Sequence, residues 1–325
     1  MRRMTKPVAT RAAWDVVIVG AGPAGMSAAL ILARACRRVL ICDAGTPRSW
    51  ASKRMHGFLT REGISPSEFR KVARRELEQF PNLKYLSRAV TSATRRSDGF
   101  FAVKLGRRSV TCRKLLIATG VFDHLPKVDG IAPLFGTSVF QCPYCDGWEV
   151  RGQPVAVYGK QRRGLEIARA MTAWTDDILL CSDGRSRLAT DDRIALQRNG
   201  IELAEEPIAR LEGRNGRLQR IVFRSGRQES RTALFFDMPS SPQSSLAKSL
   251  GCEFTHKGGV RRGQHEATSV PGVFVAGNII KDVQLAIVAA AEGARAAFGI
   301  NRALTREEFD LNATGVRRTD HPPIR

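Results

Sequence analysis

Residues 15–25 read DVVIVGAGPAG, and this stretch decides the fold. Val16, Val17, Ile18 and Val19 form a β-branched run, stiff at the side chain and suited to a buried strand. The spacing Gly20-Ala21-Gly22-Pro23-Ala24-Gly25 follows at once. In such a turn the first glycine permits the tight bend, the second lets a pyrophosphate approach the backbone, and the third lets the helix pack on the sheet. Met26 to Ala35 has helical composition, and the helix N-terminus it opens offers unpaired N–H groups to phosphates. Arg38 to Asp43 reads as the next strand, with Asp43 at its end, where a carboxylate can accept hydrogen bonds from an adenosine ribose. The unit is a βαβ dinucleotide-binding start.

Outward from this unit, Thr111 to Thr119 is predicted as a strand ending in Ala118-Thr119-Gly120. A second start begins at Pro154: a strand Val155–Tyr158, a turn from Gly159 to Gly164, a helix from Leu165 to about Trp174, and a strand Asp177–Cys181. Thr190 is read as the cap of a helix that ends at Asn199-Gly200. Pro207–Leu211, Leu218–Phe223 and Arg231–Phe236 look like three strands joined by hairpin turns at 213–216 and 225–226. Gly272 to Asn278 is a strand and turn, and Val283 to Ala303 an Ala-rich helix. The last dozen residues read as a mobile tail. The predicted architecture is α/β, with two Rossmann-like three-layer dinucleotide domains, the second inserted into the first. The expected divisions are residues 1–124, 125–248 and 249–325.

Composition narrows the function. The chain has 325 residues, 43% hydrophobic, enough for two domains with buried cores. No apolar run approaches the roughly 20 residues of a membrane span. The basic start lacks the apolar middle of a signal peptide, so a cytoplasmic protein is expected. The formal charge is +21, but its arginine pairs are scattered, with no aromatic interleaving and no nucleic-acid-binding module. No nucleic acid and no membrane are expected as partners.

Seven cysteines occur, at 36, 42, 112, 142, 145, 181 and 252. An odd, dispersed set is not a secreted disulfide framework. Cys36, Cys42 and Cys181 are most simply small core residues. One close pair remains, in Cys142-Pro143-Tyr144-Cys145-Asp146-Gly147. Two cysteines at this spacing can close a small disulfide, and the thiol of lower pKa then acts as the nucleophile. A zinc site would need a second ligand pair, which the sequence lacks, and no metal is expected. Tyr144, between the cysteines, and Trp148, after them, are either walls of a pocket or packing aromatics.

Gly20–Gly25, Ala118-Thr119-Gly120 and Ala276-Gly277-Asn278 together resemble the three nucleotide segments of the two-dinucleotide-domain flavoproteins, over roughly residues 14 to 305. The nearest resemblance is to the low-molecular-weight thioredoxin reductases. It implies FAD as cofactor, a homodimer, and a flavin site that includes Asp43, Ala44, Arg48, His56, Val90, Gln284 and Leu285. For His56 the resemblance leaves a structural or dimer-contact role equally open. The family's Gly-Asp at the ribityl chain is Gly277-Asn278 here, a polar contact without the charge. By the same resemblance Cys145 faces the flavin, Cys142 exchanges with substrate, and Asp146 is the general acid/base.

A thioredoxin reductase also needs an NADPH turn. Here it reads Gly159-Lys160-Gln161-Arg162-Arg163-Gly164, with Gln161 where the pyrophosphate should approach. Cys181-Ser182-Asp183-Gly184 stands where a basic clamp for the 2′-phosphate is expected. Lys160, Arg162 and Arg163 are the groups that could still hold a phosphate. An intact flavin and cysteine set beside a damaged second turn resembles the FAD-dependent dithiol oxidases of disulfide natural products such as gliotoxin, holomycin and romidepsin. That implies a small-molecule or cyclic-peptide dithiol as substrate and molecular oxygen as acceptor. The alternative is an NADPH-dependent thioredoxin reductase, told apart by fast NADPH oxidation.

Overall fold

The apolar run at 16–19 lies within a strand, Trp14–Val19, whose last five residues are buried. Burial on both faces is the environment in which a parallel strand reads as continuously apolar. In the computed structural model, which describes residues 13–237 and 239–313, this strand pairs in parallel with Val39–Cys42 and with Arg108–Ile117. Leu83–Leu86 extends the sheet beyond Val39–Cys42. Arg108–Ile117 serves two different neighbours. Its residues 115–117 pair in parallel with Val273–Val275, whereas residues 108–112 carry the antiparallel strand Phe101–Leu105, followed by Ser92–Arg95.

Two units divide the chain. The first takes the described residues up to Pro47, Arg70–Val121 and those from Pro242 on; the second takes Arg48–Phe69 and Phe122–Ser241. The segment 48–69, which the sequence reading assigns to the first domain, therefore groups with the second. Long-range contacts hold it there. Arg48 donates from Nε and Nη2 to the Asp123 carboxylate at 2.5 and 2.8 Å. The Trp50 ring packs on Phe135 at 6.2 Å between centroids. Gly136 lies so close to Ala51 that a Cβ there would stand 2.5 Å from its carbonyl oxygen. Contacts across 75 or 85 residues leave no trace in local periodicity.

The second unit is built on a parallel sheet in the order Glu202–Ala204, Ile178–Cys181, Val155–Tyr158, Ala233–Phe236, Val139–Phe140. The hairpin reading needs one correction. Ile208–Arg214 and Arg217–Phe223 do form an antiparallel pair, but their third strand is Gln228–Ser230. Ala233–Phe236 is buried throughout and enters the parallel sheet instead. Its four apolar residues need cover on both faces, which the small antiparallel sheet does not supply.

Three smaller expectations also change. Thr190 is the first residue of its helix rather than the cap; Ala189 holds the cap position, and Asp191 and Asp192 supply negative charge to the first turn. Cys36 is exposed, at φ +56°, and is no core residue. The final helix runs Ala286–Ala313, ten residues past the predicted end. Side-chain pairing explains the extension. Glu308 accepts from Arg37 at 2.8 Å and from Arg113 at 2.5 Å, Glu307 pairs with Lys114, and Arg37 also donates to Asn301 at 2.6 Å. The two guanidinium groups hold the Glu308 carboxyl down at about 2. Cys42, Cys112 and Cys181 are buried, and burial pushes each thiol up to about 12, which leaves them unreactive. The predicted lead-in before residue 13 and the tail from residue 314 lie outside the described residues. Among the described residues, no helix is long and apolar enough to cross a membrane.

Candidate active site

The first unit brings its three glycine segments together. Gly20 takes φ +109°, and a Cβ on it would stand 2.3 Å from the Ala118 carbonyl oxygen. A Cβ on Gly25 would stand 1.9 Å from the Gly20 carbonyl oxygen, so the helix Pro23–Arg34 sits directly on its own turn. A Cβ on Gly277, which has φ +80°, would stand 3.0 Å from the Ala24 side chain, and one on Gly293 would stand 2.0 Å from the Ala24 carbonyl oxygen. By contrast, a Cβ on Gly22 would meet nothing within 4 Å. Above Gly22 there is open space, and the first turn of the helix has neither a capping side chain nor an acidic residue. This is a cradle for an anionic group at a helix N-terminus. Thr119 adds a buried hydroxyl oxygen with no hydrogen-bond partner, a polar atom suited to a bound ligand. The residues present fit a dinucleotide.

Around this cradle the remaining predicted residues are distributed unevenly. Asp43 follows the strand Val39–Cys42, but its carboxylate is already occupied: Oδ1 accepts from the Gly45 N–H at 2.9 Å, and Oδ2 accepts from Arg70 at 2.6 Å and from the Tyr85 hydroxyl. Ala44 is exposed beside it, and Ala21 and Ala24 are buried under the turn. Val90 is half-buried against the first core. Gln284 and Leu285, both half-buried, immediately precede the final helix. The Gly277 N–H donates to the buried carboxylate of Glu292 at 2.8 Å, which fixes the turn leading into Asn278. Arg48 and His56 belong to the second unit. A substitution Gly25→Ala is expected to open the first turn and leave the purified protein without dinucleotide. Nucleotide released on denaturation measures this directly.

In the second unit the glycine turn keeps its packing. A Cβ on Gly164 would stand 2.3 Å from the Gly159 carbonyl oxygen, the same strand-to-helix contact as in the first turn. Gln161 lies exposed in the left-handed region at φ +55°, a conformation that costs a non-glycine residue about 1 kcal/mol. The three basic side chains of the turn are engaged within the unit: Lys160 with Asp183 at 3.5 Å, Arg162 with Glu166 at 3.2 Å, and Arg163 with Asp237 at 3.0 Å. Asp183 also accepts from the Tyr158 hydroxyl at 2.9 Å. These exposed pairs are individually weak.

Cys142 and Cys145 are joined as a disulfide, with α-carbons 5.2 Å apart. Cys142 has extended backbone and caps a single helical turn, Pro143–Asp146. Pro143 suits the first helical position because its missing N–H would have had no partner there. The Cys142 sulfur accepts the Cys145 N–H at 3.1 Å, a contact that would also stabilise a thiolate on Cys142. Tyr144 and Trp148 are largely exposed. Tyr144 stands edge-on to Trp174 at 5.6 Å, and Trp148 lies beneath the Arg151 guanidinium at 4.0 Å.

Asp146 follows the pair directly, and burial pushes its carboxyl up to about 7. The His56 charge opposes that rise, and the Glu149 charge reinforces it. Such a carboxyl can both take and give a proton near neutrality. His56 itself is held by Glu62 at 2.6 Å from Nδ1 and faces Glu149 at 3.5 Å from Nε2. The sequence leaves His56 open between a flavin role and a structural or dimer-contact one, and it carries no signal for Glu62 or Glu149. Glu62 is six positions from His56, but only the turn between them and the contact to Glu149 make the group visible. Among the described residues no cluster has the composition of a metal site.

Comparison with known proteins agrees with this arrangement. The model of the pyridine nucleotide-disulphide oxidoreductase family matches residues 14–293. A protein named thioredoxin reductase tcpT from Claviceps purpurea (strain 20.1) is 31% identical over 290 residues, covering 84% of this chain and 89% of that one. A protein named thioredoxin reductase sirT from Leptosphaeria maculans is 30% identical over 307 residues, covering 89% and 93%. Among solved structures, HlmI superposes with a TM-score of 0.89 at 33% identity, covering 93% of this chain and 96% of that one. A protein from Bacillus anthracis named as a thioredoxin reductase, TrxB, gives 0.86 at 30% identity, covering 90% and 99%.

Proposed function

Because the chain belongs to the pyridine nucleotide-disulphide oxidoreductase family, we propose that it works as an FAD-dependent dithiol oxidase rather than as a reductase fed by NADPH. The observation that carries this reading is the second glycine turn, where Gln161 replaces the glycine of approach and every basic side chain has an acidic partner.

The chain's own residues do the following. A substrate thiol loses its proton to the Asp146 carboxylate, and its sulfur attacks Cys142. A bond forms between substrate and Cys142, the Cys142–Cys145 bond breaks, and Cys145 leaves as thiolate. The second substrate thiol then attacks the mixed disulfide while its proton passes to the departing Cys142 sulfur, which closes the substrate's own disulfide and frees Cys142 as a thiol. The substrate has lost two electrons and two protons, and the cysteine pair has gained the electrons. The first turn, Thr119 and the Gly277-Asn278 turn would hold FAD, which when bound would supply the two-electron acceptor for the reduced cysteine pair, with molecular oxygen as the final acceptor. The exposed aromatic rings of Tyr144 and Trp148 suit a compact small-molecule or cyclic-peptide dithiol.

Two relatives bearing the name thioredoxin reductase favour a second reading, in which NADPH drives reduction of a small protein disulfide. The two readings differ in one measurement. Oxygen uptake on addition of a dithiol, unchanged by NADPH, is the expected outcome for the oxidase. Rapid bleaching of the bound flavin by NADPH in stopped flow, with no oxygen uptake from dithiol, would establish the reductase instead.

A further inference from the structure

The first nine residues of the final helix, Ala286 to Ala294, carry a single polar side chain, that of Glu292. It is buried, and its Oε2 accepts the buried Gly277 N–H at 2.8 Å. The helix meets both nucleotide segments in the same turn. Gly293, the next residue, packs on the Ala24 backbone of the first glycine turn, and a Cβ on Gly277 would stand 3.7 Å from the Cβ of Ala289. The charge of Glu292 is poorly provided for. Arg262 donates to Glu266 at 3.3 Å and to Asp282 at 3.1 Å, but comes only within 3.9 Å of Glu292, and Arg295 pairs with Glu266 at 2.9 Å. Burial pushes the Glu292 carboxyl above its ordinary range, and the charges of Glu266 and Asp282 push it the same way. The negative charge is therefore held at a cost, whereas the oxygen satisfies a buried backbone N–H that is expensive to leave unpaired.

We propose that Glu292 is a positioning residue for the flavin dinucleotide: the reach of its acceptor oxygen to Gly277, and not its charge, keeps the Gly277-Asn278 turn in the shape that binds. The inference rests on the reading of the first unit as an FAD site. Glu292 acts through the backbone of the turn, so its effect is on how often the empty site is already in binding shape. A ligand's affinity falls in proportion to that fraction. With the acceptor withdrawn, the Gly277 N–H has to seek another partner, and the turn has to move to find one. The electrostatic part is dispensable, because Arg262 keeps Glu266 and Asp282 whether or not Glu292 is charged.

Two substitutions separate reach from charge. The purified full-length protein is stripped of flavin, and the apoprotein is titrated with FAD while flavin fluorescence is followed. Glu292→Gln keeps an oxygen at the same reach without the charge, and its Kd is expected within about threefold of wild type. Glu292→Asp keeps the charge but draws the oxygen back by about 1.5 Å, out of hydrogen-bond range. Its Kd is expected to rise about tenfold, as for a turn in binding shape a tenth of the time. Thermal unfolding of each apoprotein reports the fold separately. A purely structural role lowers the melting temperature of Glu292→Asp and leaves its Kd at the wild-type value, and that result overturns the proposal even where Glu292→Gln folds poorly. The reverse order, with Asp near wild type and Gln weakened, assigns the effect to charge and overturns it as well, as does equal weakening of both. A wild-type apoprotein that takes up no FAD overturns the flavin reading itself, and the positioning role falls with it.

Discussion

Cys142→Ser and Cys145→Ser are each expected to abolish dithiol turnover, with a loss of about a thousandfold or more, as for removal of a covalent nucleophile. The two sulfurs form one bond, and neither can accept electrons alone. The variants should differ in the reactivity of the thiol that remains. Cys142 keeps the Cys145 N–H as a donor to its sulfur, at 3.1 Å, and a thiol so placed has a larger thiolate fraction near neutrality. The Cys142 thiol in Cys145→Ser is therefore expected to react with a small aromatic disulfide several-fold faster than the Cys145 thiol in Cys142→Ser. Oxygen uptake with dithiol measures the first expectation, and release of the aromatic thiol measures the second. Full turnover in either variant would remove the pair from the mechanism.

Asp146→Asn should produce the next largest effect, in two opposite directions. Loss of a positioned acid–base group costs on the order of 10² to 10⁴ in rate. Wild-type turnover should rise with pH through about 7, where the buried carboxyl becomes a base, and the variant should lose that rise. Stability should move the other way. The folded-state value of about 7 lies above the ordinary 3.8, so the folded protein holds this proton more tightly than the unfolded chain does. The stability linked to it is present at low pH and is lost as pH rises from about 4 through 7. Above neutrality the wild type carries a buried charge that the asparagine lacks. At about pH 8 Asp146→Asn is expected to be more stable, on the order of 1–3 kcal/mol after allowing for partial solvent access. Thermal unfolding of both proteins across pH measures it; a variant less stable than wild type at every pH would show that Asp146 is not held against an electrostatic cost.

The opposition between those two effects is the physical signature of a functional group. A carboxyl kept in an unfavourable site for stability alone would have no reason to remain there. The cradle around Gly22 is similar in kind. Open space and an uncapped first turn cost helix stability unless a ligand supplies the missing partners.

Much of this was readable from the chain itself, and the reason is that the relevant information is local. The strand at 14–19, the turn at 20–25 and the helix after it follow from β-branching, glycine spacing and helical composition within two dozen residues. The cysteine pair with Asp146 is set by covalent spacing alone. So is the loss of the middle glycine at Gln161. Where the sequence reading went astray, the deciding contact was distant. Ala233–Phe236 joined the parallel sheet because only there could both of its faces be covered. The final helix continued because Glu307 and Glu308 met cations nearly 200 and more than 270 positions away. Arg48 and His56 moved to the second unit because Asp123 and Glu149 were there to receive them. Which chemistry the chain carries was thus written in short segments. How deeply Asp146 is buried and which charges face it, and so how readily it gains and loses its proton, was decided only by folding, because burial and electrostatic interaction depend on distance in space and not along the chain.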